Sequence, residues 1–327
     1  MIFKSLEPIK TTEVYDAYWK FAAERQEIFF KRVKNNKPPW TNDPILQYYK
    51  FTNAYRASDK VSQFLIKNVI YKGEQSPKEL FFRILLFKLF NKIETWNLLL
   101  HEFKEITYKD YSFEKYNSVL NEVLDNKFSI YSGAYIMASA NKFGYKRKHS
   151  NHLKLIELMI KDFVPEKITE SKKLLDVFFL LKSYPSFGDF LAYQLTIDLN
   201  YSELINFEES EFVIPGPGAY DGISKCFTSL GGLNESEVIR IVCDRQELEF
   251  EQRNIKFKNL FGRRLQLIDC QNLFCEISKY SRVAFPTIQG SSGRTRIKQI
   301  FNATSKSFNC WYPPKWNINQ RINDIKK

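Results

Sequence analysis

The chain has 327 residues, 44% of them hydrophobic, with 12 glycines and 12 prolines. That composition supplies a sizeable core and excludes a collagen-like or low-complexity chain. Lys and Arg outnumber Asp and Glu by 49 to 37, a net charge of +12. The most apolar run, Phe81 to Phe90, is interrupted by Arg83 and Lys88, which excludes a membrane span there. The N-terminal stretch has no apolar h-region, so no signal peptide is expected.

In chain order, Thr11 and Thr12 are candidate caps for a helix reaching about Lys34, with Tyr15, Tyr18, Trp19, Ala22 and Phe29 near helical spacing. The Pro-rich stretch Asn35 to Pro44 breaks it. A second helix is expected from about Pro44 to Tyr71, and a third, opened by Ser76-Pro77, to about Leu100. Further helices are expected over 112–125, 129–141, 150–162 and 169–183, and an irregular or partly β tail after about residue 255. The fold class is mainly α: one compact helical domain, 1–276, with an irregular basic C-terminal segment, 277–327, packed on it.

The positive charge is concentrated. From Ile277 onward ten Lys/Arg stand against one acid, Asp324, and Asn141 to Leu155 holds five Lys/Arg and no acid. Clustered cations displace the counterions of a polyanion, so nucleic acid is the expected partner, with a solvated basic tail as the plainer alternative. Candidate DNA contacts are Lys146, Arg147 and Lys148 in the first cluster, and Arg282, Arg294, Arg296 and Lys298 in the second. The five cysteines lack the paired spacing of a metal site. They are read as reduced thiols of a cytoplasmic protein, with no metal and no cofactor expected.

Three polar constellations stand out. Asn53, Arg56, Asp59 and Gln63 would share one face of a continuous helix, close to Trp40, Tyr49 and Tyr55. Such a stripe suits a planar hydrogen-bonding ligand such as a base, or else is an exposed face of i,i+3 pairs. Asn91 and Glu94 interrupt an otherwise apolar helix. Asp269, Gln271, Asn272 and Glu276 sit among apolar residues in LQLIDCQNLFCEISKYSR (265–282), a setting for a perturbed carboxylate or for a buried structural network.

The segment 174–199 has an apolar helix, a hairpin Tyr184-Pro185-Ser186-Phe187-Gly188 and a second helix from Asp189. It resembles the helix–hairpin–helix of DNA-repair glycosylases, in which the hairpin amides hold a phosphate, with an ordinary αα-hairpin as the alternative. Lys182, Ser186 and Gly188 would make that contact. The catalytic Asp of such enzymes has no clear counterpart about 20 residues further on. A helix starting within 216–219 carries Asp221 in its first turn and Lys225, a further candidate DNA contact, one turn later.

As an ordered set, WTNDPIL (40–46), KFTNAYRASDKVSQFLI (50–66), FFRILLFKLFNKIETW (81–96), DFLAYQLTIDLNYS (189–202), EFVIPGPGAYDGISKCF (211–227) and LQLIDCQNLFCEISKYSR (265–282) resemble one family. It is the helical domain of hydroxymethyluracil DNA kinases and alpha-glutamyl/putrescinyl thymine pyrophosphorylases. The resemblance implies a helix–hairpin–helix glycosylase-like fold and work on DNA with hypermodified pyrimidines, including bacterial defence glycosylases that excise such bases from phage DNA. GxxxxGK[ST] occurs nowhere in the chain, so it carries no Walker nucleotide site.

Under the reading favoured at this level, the chain is a DNA glycosylase, a hydrolase that flips and excises a modified pyrimidine in anti-phage defence. Its catalytic carboxylate would be Asp269, Asp221 or Asp198. Trp40, Tyr49, Asn53, Tyr55, Arg56, Asp59, Gln63, Asn91, Glu94, Gln271 and Asn272 would line the base site. The partner would be double-stranded phage DNA containing modified pyrimidines, with no membrane and no obligatory protein partner. The first alternative is a hypermodification transferase joining an amine or amino acid to a pyrophosphorylated hydroxymethyl pyrimidine, with Arg56, Lys60 and Lys92 on the pyrophosphate. The second is a non-catalytic module that binds modified DNA.

Overall fold

The structure, a computed structural model, describes residues 6–34, 37–133, 137–303 and 308–326. It is mainly helical. In chain order the helices are α1 (Glu13–Val33), α2 (Pro44–Tyr48), α3 (Lys60–Phe64), α4 (Pro77–Phe90), α5 (Ile93–Phe103), α6 (Phe113–Asp125), α7 (Lys148–Lys161) and α8 (Val164–Glu170). They continue with α9 (Leu174–Lys182), α10 (Asp189–Asn200), α11 (Pro217–Cys226), α12 (Glu235–Asp244), α13 (Gln246–Gln252), α14 (Leu267–Ala284) and α15 (Asn319–Lys326). Two short strands, β1 (Lys10–Thr11) and β2 (Phe227–Ser229), pair antiparallel with Lys10 opposite Ser229. Among the described residues no helix is long and apolar enough to cross a membrane. Packing groups the chain into two units: Met1–Asp59 with Phe212–Lys327, and Lys60–Glu211.

The first unit is organised around α14. The side chain of Thr12 caps α1, accepting from the Val14 amide at 3.2 Å. Tyr18 then meets Phe274 at 4.6 Å between ring centroids, and Trp19 meets Phe250 at 4.8 Å. Helix α11 lies closest of all on α14, because Gly218 and Gly222 present no side chain. A Cβ at Gly222 would fall 1.9 Å from the Phe274 carbonyl oxygen, and one at Gly218 would fall 2.2 Å from Cys275 Sγ. The first of these collisions is with backbone, so only glycine lets the helices approach this far.

In the second unit α4 is buried on nearly every side, from Leu80 to Phe90. That is the fate of a helix apolar all round, and α7, α8 and α10 pack about it. Of its three cations Lys78 is exposed and the other two are absorbed internally: Arg83 donates to the carbonyls of Val69 (3.1 Å) and Glu74 (2.6 Å), and Lys88 pairs with Asp198 at 2.9 Å. A turn over 183–188 joins α9 to α10, with Ser186 in the left-handed region at φ 73°.

Four expectations are corrected. The helix from Pro44 to Tyr71 is interrupted by an irregular stretch between α2 and α3 that holds one 3-10 turn, Arg56–Ser58, and a π-helical turn, Leu65–Ile70, follows α3. The helix to Leu100 is two helices, α4 ending where Asn91 turns left-handed at φ 48°. The described residues of 129–141 form no helix before a 3-10 turn at Asn141–Phe143, and 134–136 lie outside the described residues. The region after 255 is not all irregular, since α14 runs for 18 residues straight through the expected boundary at 276/277.

Candidate nucleic-acid interface and its buried anchor

Two irregular segments of the first unit are fastened by carboxylates, and they differ in what they present to solvent. The first is 51–59. The sequence pattern places Asn53, Arg56 and Asp59 on a helical face, but here side chains intercept the backbone groups that a helix would use. Glu276 accepts the Thr52 amide (2.9 Å), Asp59 accepts the Asn53 amide (2.7 Å), and Asp269 accepts the Arg56 amide (2.7 Å). From α1, buried Arg25 donates to the carbonyls of Thr52 (2.9 Å) and Phe51 (3.3 Å) and to Asn53 Oδ1 (3.3 Å). Burial pulls Arg25 down to about 10, with Glu276 and Asp59 opposing. Burial pushes the Asp59 carboxyl up to about 7, with the Asn53 amide and the Arg25 and Arg56 charges opposing.

This geometry assigns structural work to several expected base-site residues. Asp269 also accepts the Gln266 amide (3.0 Å), closing a capping box at the start of α14; it is a cap rather than a carboxylate facing a sugar. Tyr55 is buried, donates to the Arg263 carbonyl (2.6 Å) and accepts the Leu260 amide (3.1 Å), so its ring is not open for stacking. Asn53, Arg56, Gln271 and Asn272 are buried too. Trp40 instead lines a cleft of about 740 Å³ together with Phe21, Tyr280 and Asp43, while Tyr49 packs edge-on against Tyr48 at 4.7 Å.

The second segment, 289–298, leaves α14 and lies over the α11–α14 junction. Asp221 on α11 is 1% exposed and anchors it: Oδ1 accepts the Ser292 amide at 2.8 Å, while Oδ2 accepts the Ser278 hydroxyl from α14. Ser224 accepts the Ser291 amide (2.9 Å), and Arg282 donates to the Arg296 carbonyl (3.1 Å). Gly290 passes so near that a Cβ would fall 2.3 Å from Asp221 Oδ1 and 2.8 Å from Lys225 Cε. Two cations stand beside the carboxylate, Lys225 Nζ at 4.0 Å and Arg282 Nη2 at 3.8 Å from Oδ2.

Burial alone would raise the Asp221 carboxyl; the bonds from Ser278 and Ser292 and the Lys225 charge bring it below its ordinary value. Burial lowers both Lys225 and Arg282, with Asp221 opposing. Two cations face one carboxylate, and Arg282 Nε is buried without a hydrogen-bond partner. Outside this anchor the side chains of Arg294, Arg296 and Lys298 are exposed. Lys225, expected to touch DNA, is 2% exposed and holds the Ser278 carbonyl (3.1 Å) and the Ser281 hydroxyl (3.3 Å) instead.

The remaining expected residues belong to the second unit: Gln63, Asn91, Glu94, Asp198, Lys146 to Lys148, and the 182–188 turn. Asp198 is 0% exposed and answers Lys88, which also donates to Asn91 Oδ1 (3.1 Å). Glu94 is exposed in the first turn of α5. Lys92 is bonded to the Ser129 carbonyl. Arg147 is held by Asp125 (2.6 Å) and Asn121 (2.8 Å), and Lys148 lies 4.4 Å over the Tyr131 ring. Lys182 pairs with Asp189, and Gly188 is the N-cap of α10. Lys146 is exposed.

Sequence reasoning missed Ser224, Ser278, Gly290, Ser292 and Arg25. Gly290 and Ser292 had a faint signal in Gly-Ser-Ser-Gly (290–293) set between cations, and Arg25 had one in being a charge among the buried positions of α1; Ser224 and Ser278 had none.

Residues 12–290 match the family described as 5-hmdU DNA kinase, helical domain, and the chain belongs to that family. Over 296 residues it is 25% identical to a protein of Bacillus phage SP10 named 5-hmdU DNA kinase, a match covering 84% of this chain and 46% of the relative. The chain thus spans about half the length of the curated relative it matches. No solved structure matches it. These likenesses correct the expected glycosylase: the family and the relative are named for a DNA kinase, a transferase, and not for a hydrolase that excises bases.

Proposed function

We propose that the chain is the DNA-facing, group-transfer component of pyrimidine hypermodification, acting on the hydroxymethyl arm of a 5-hydroxymethylpyrimidine in duplex DNA. The observation that carries this reading is the anchored 289–298 loop: Arg294, Arg296 and Lys298 are exposed on it, and Lys225 and Arg282 lie beneath it around a single carboxylate, Asp221. Exposed cations fit phosphodiesters. A buried surplus of positive charge fits a departing phosphate or diphosphate. The relative's name, a kinase of 5-hmdU DNA, supplies the substrate class. The absence of GxxxxGK[ST] from the sequence puts any Walker-type nucleotide site on another polypeptide segment.

In the transfer step an amine nitrogen bonds to the exocyclic methylene carbon as that carbon's bond to the diphosphate oxygen breaks. Diphosphate leaves with the electron pair, and the amine's proton passes to a base. Arg282, whose Nε has no partner, would stabilise the leaving charge, and buried Lys225 would add its charge from beneath. Duplexes carrying hydroxymethyldeoxyuridine, or its pyrophosphorylated form, are incubated with the chain, with amines and with ATP in separate arms, and the nucleosides are weighed by mass spectrometry. On the pyrophosphorylated duplex with amine, the expected result is a nucleoside in which the amine has replaced the diphosphate, with the glycosidic bond intact and free diphosphate released, and it is lost in Arg282→Gln. Unaltered nucleosides in every arm, or release of free base, would overturn the reading.

A further inference from the structure

The start of α14 carries a second cationic feature that the 289–298 loop does not explain. A cleft of about 420 Å³ is lined by Arg263, Arg264, Arg321, Trp316 and Gln266 with no carboxylate among its walls. Each arginine is set in place. The Arg263 guanidinium lies 3.9 Å over the Trp316 ring, and Trp316 stacks at 5.9 Å on Tyr312. Arg321 Nη1 donates to the Phe261 carbonyl at 2.6 Å. Arg264 places all its bonds on Nη2, to the Cys243 (2.8 Å) and Asp244 (3.2 Å) carbonyls and to Glu247 (3.0 Å), which leaves Nε and Nη1 unbonded.

Gly262, at φ 99°, turns the chain between them, and a Cβ there would come 2.9 Å from Arg321 Nη1. Arg264, with Nε and Nη1 unbonded, and Arg321 at an open cleft match the planar two-donor recognition of phosphate oxygens.

We infer that this cleft is a second phosphate-backbone contact for DNA, placed by α14 at a fixed distance from the first. Gln266, the N-cap beside the cleft, and Arg282, beneath the loop, are 16 residues apart along α14, a rise of about 24 Å at 1.5 Å per residue. That span corresponds to about seven base pairs along a duplex at 3.4 Å per step. The inference rests on the chain being a DNA binder, and it adds a footprint: a duplex shorter than this engages the loop or the cleft, and a longer one engages both.

The test is fluorescence anisotropy with 6- and 16-base-pair duplexes containing hydroxymethyluracil, titrated across salt. The proteins are wild type and Arg264→Gln/Arg321→Gln, with melting curves to establish folding. On the long duplex the double variant should lose about 1.8 from the log–log salt slope, about 0.9 per phosphate contact. On the short duplex it should match wild type. Arg264→Gln/Arg321→Lys, which restores one of the two charges, should recover about half of the lost slope, and the single variant Arg264→Gln, expected to lose about 0.9, keeps the inference open to test if the double variant unfolds.

An unchanged slope on the long duplex overturns the cleft as a DNA contact while leaving the loop reading intact. An equal loss on the short duplex overturns the two-ended span. Equal competition by poly-glutamate at matched charge assigns the cleft to acidic protein instead. Failure of wild type to bind any duplex overturns this inference and the DNA-facing role together.

Discussion

The segments 51–59 and 289–298 solve the same local problem in opposite surroundings. Both lack regular backbone pairing, and both are tied to α14 or α11 by carboxylates that accept main-chain amides. In 51–59 almost every residue is buried, and Asp59, Asp269 and Glu276 satisfy amides that have no water to turn to. In 289–298 only the anchor is buried, and the side chains beyond it are exposed cations. A buried carboxylate by itself therefore does not mark a reactive centre in this protein. What separates scaffold from interface is what each carboxylate holds in place: Asp269 ties the amides of Arg56 and Gln266 inside a buried segment, whereas Asp221 stands beside two cations beneath an exposed loop.

The sharpest way to break that comparison is Asp269→Ala. The Arg56 and Gln266 amides lose their acceptor together. A lost cap costs about 0.5–2 kcal/mol and a stranded buried amide about 1–3 kcal/mol, so a loss of about 2–5 kcal/mol is expected. Urea unfolding should show it as a lower midpoint, with DNA affinity of the folded fraction kept within about twofold. If the variant were as stable as wild type but unable to bind or alter DNA, Asp269 would belong to the chemistry and the division between the two segments would fail.

Much of this was legible in the sequence. Thr12 marks the start of α1, Ser76-Pro77 the start of α4, and the Gly-Pro-Gly at 216–218 the start of α11, because caps and prolines act over three or four residues. The basic 294–298 run was visible in composition alone. The break at 49–59 was not. Its helical periodicity is overridden by Arg25, Asp269 and Glu276, which lie more than 25 residues away in the chain. The anchor was hidden for the same reason: Asp221 meets Ser292 only across 71 positions. An Asp in a first helical turn looks alike whether it answers a dipole or pins a distant loop.

A second, smaller effect separates the segments by pH. Burial raises the Asp59 carboxyl to about 7 in the folded chain, above the value of about 3.9 for an unfolded Asp. The native state therefore holds the proton more tightly. The associated stability is fully present below about pH 4, is lost as pH rises toward 7, and stays lost above it. Asp59→Asn keeps an oxygen for the Asn53 amide and removes the titration. The difference between the two proteins' stability curves should change across this window with a slope approaching about 1.4 kcal/mol per pH unit. Parallel curves from pH 4 to 8 would show that Asp59 is solvated like a surface acid and that 51–59 is less sealed than its hydrogen bonds imply.

The smallest expected change is also the most local. Ser224 holds the Ser291 amide at the start of the exposed loop and donates to the Asp221 carbonyl, both at 2.9 Å. Ser224→Ala removes one tie and leaves Asp221, Ser278 and Arg282 in place, so global stability should fall by less than about 1 kcal/mol. The loop should nevertheless open more often, because its remaining ties are few and the loop beyond them is exposed. Trypsin, which cuts after Arg294 and Arg296 only when the segment leaves its anchor, should cleave there several-fold faster, and DNA should slow it. Matching variants in 51–59 cannot behave this way, since a segment tied on every side opens only when the unit unfolds. If Ser224→Ala lowered the unfolding midpoint as much as Asp269→Ala and left the trypsin pattern unchanged, 289–298 would be scaffold after all, and its cations a solvated edge rather than a surface offered to DNA.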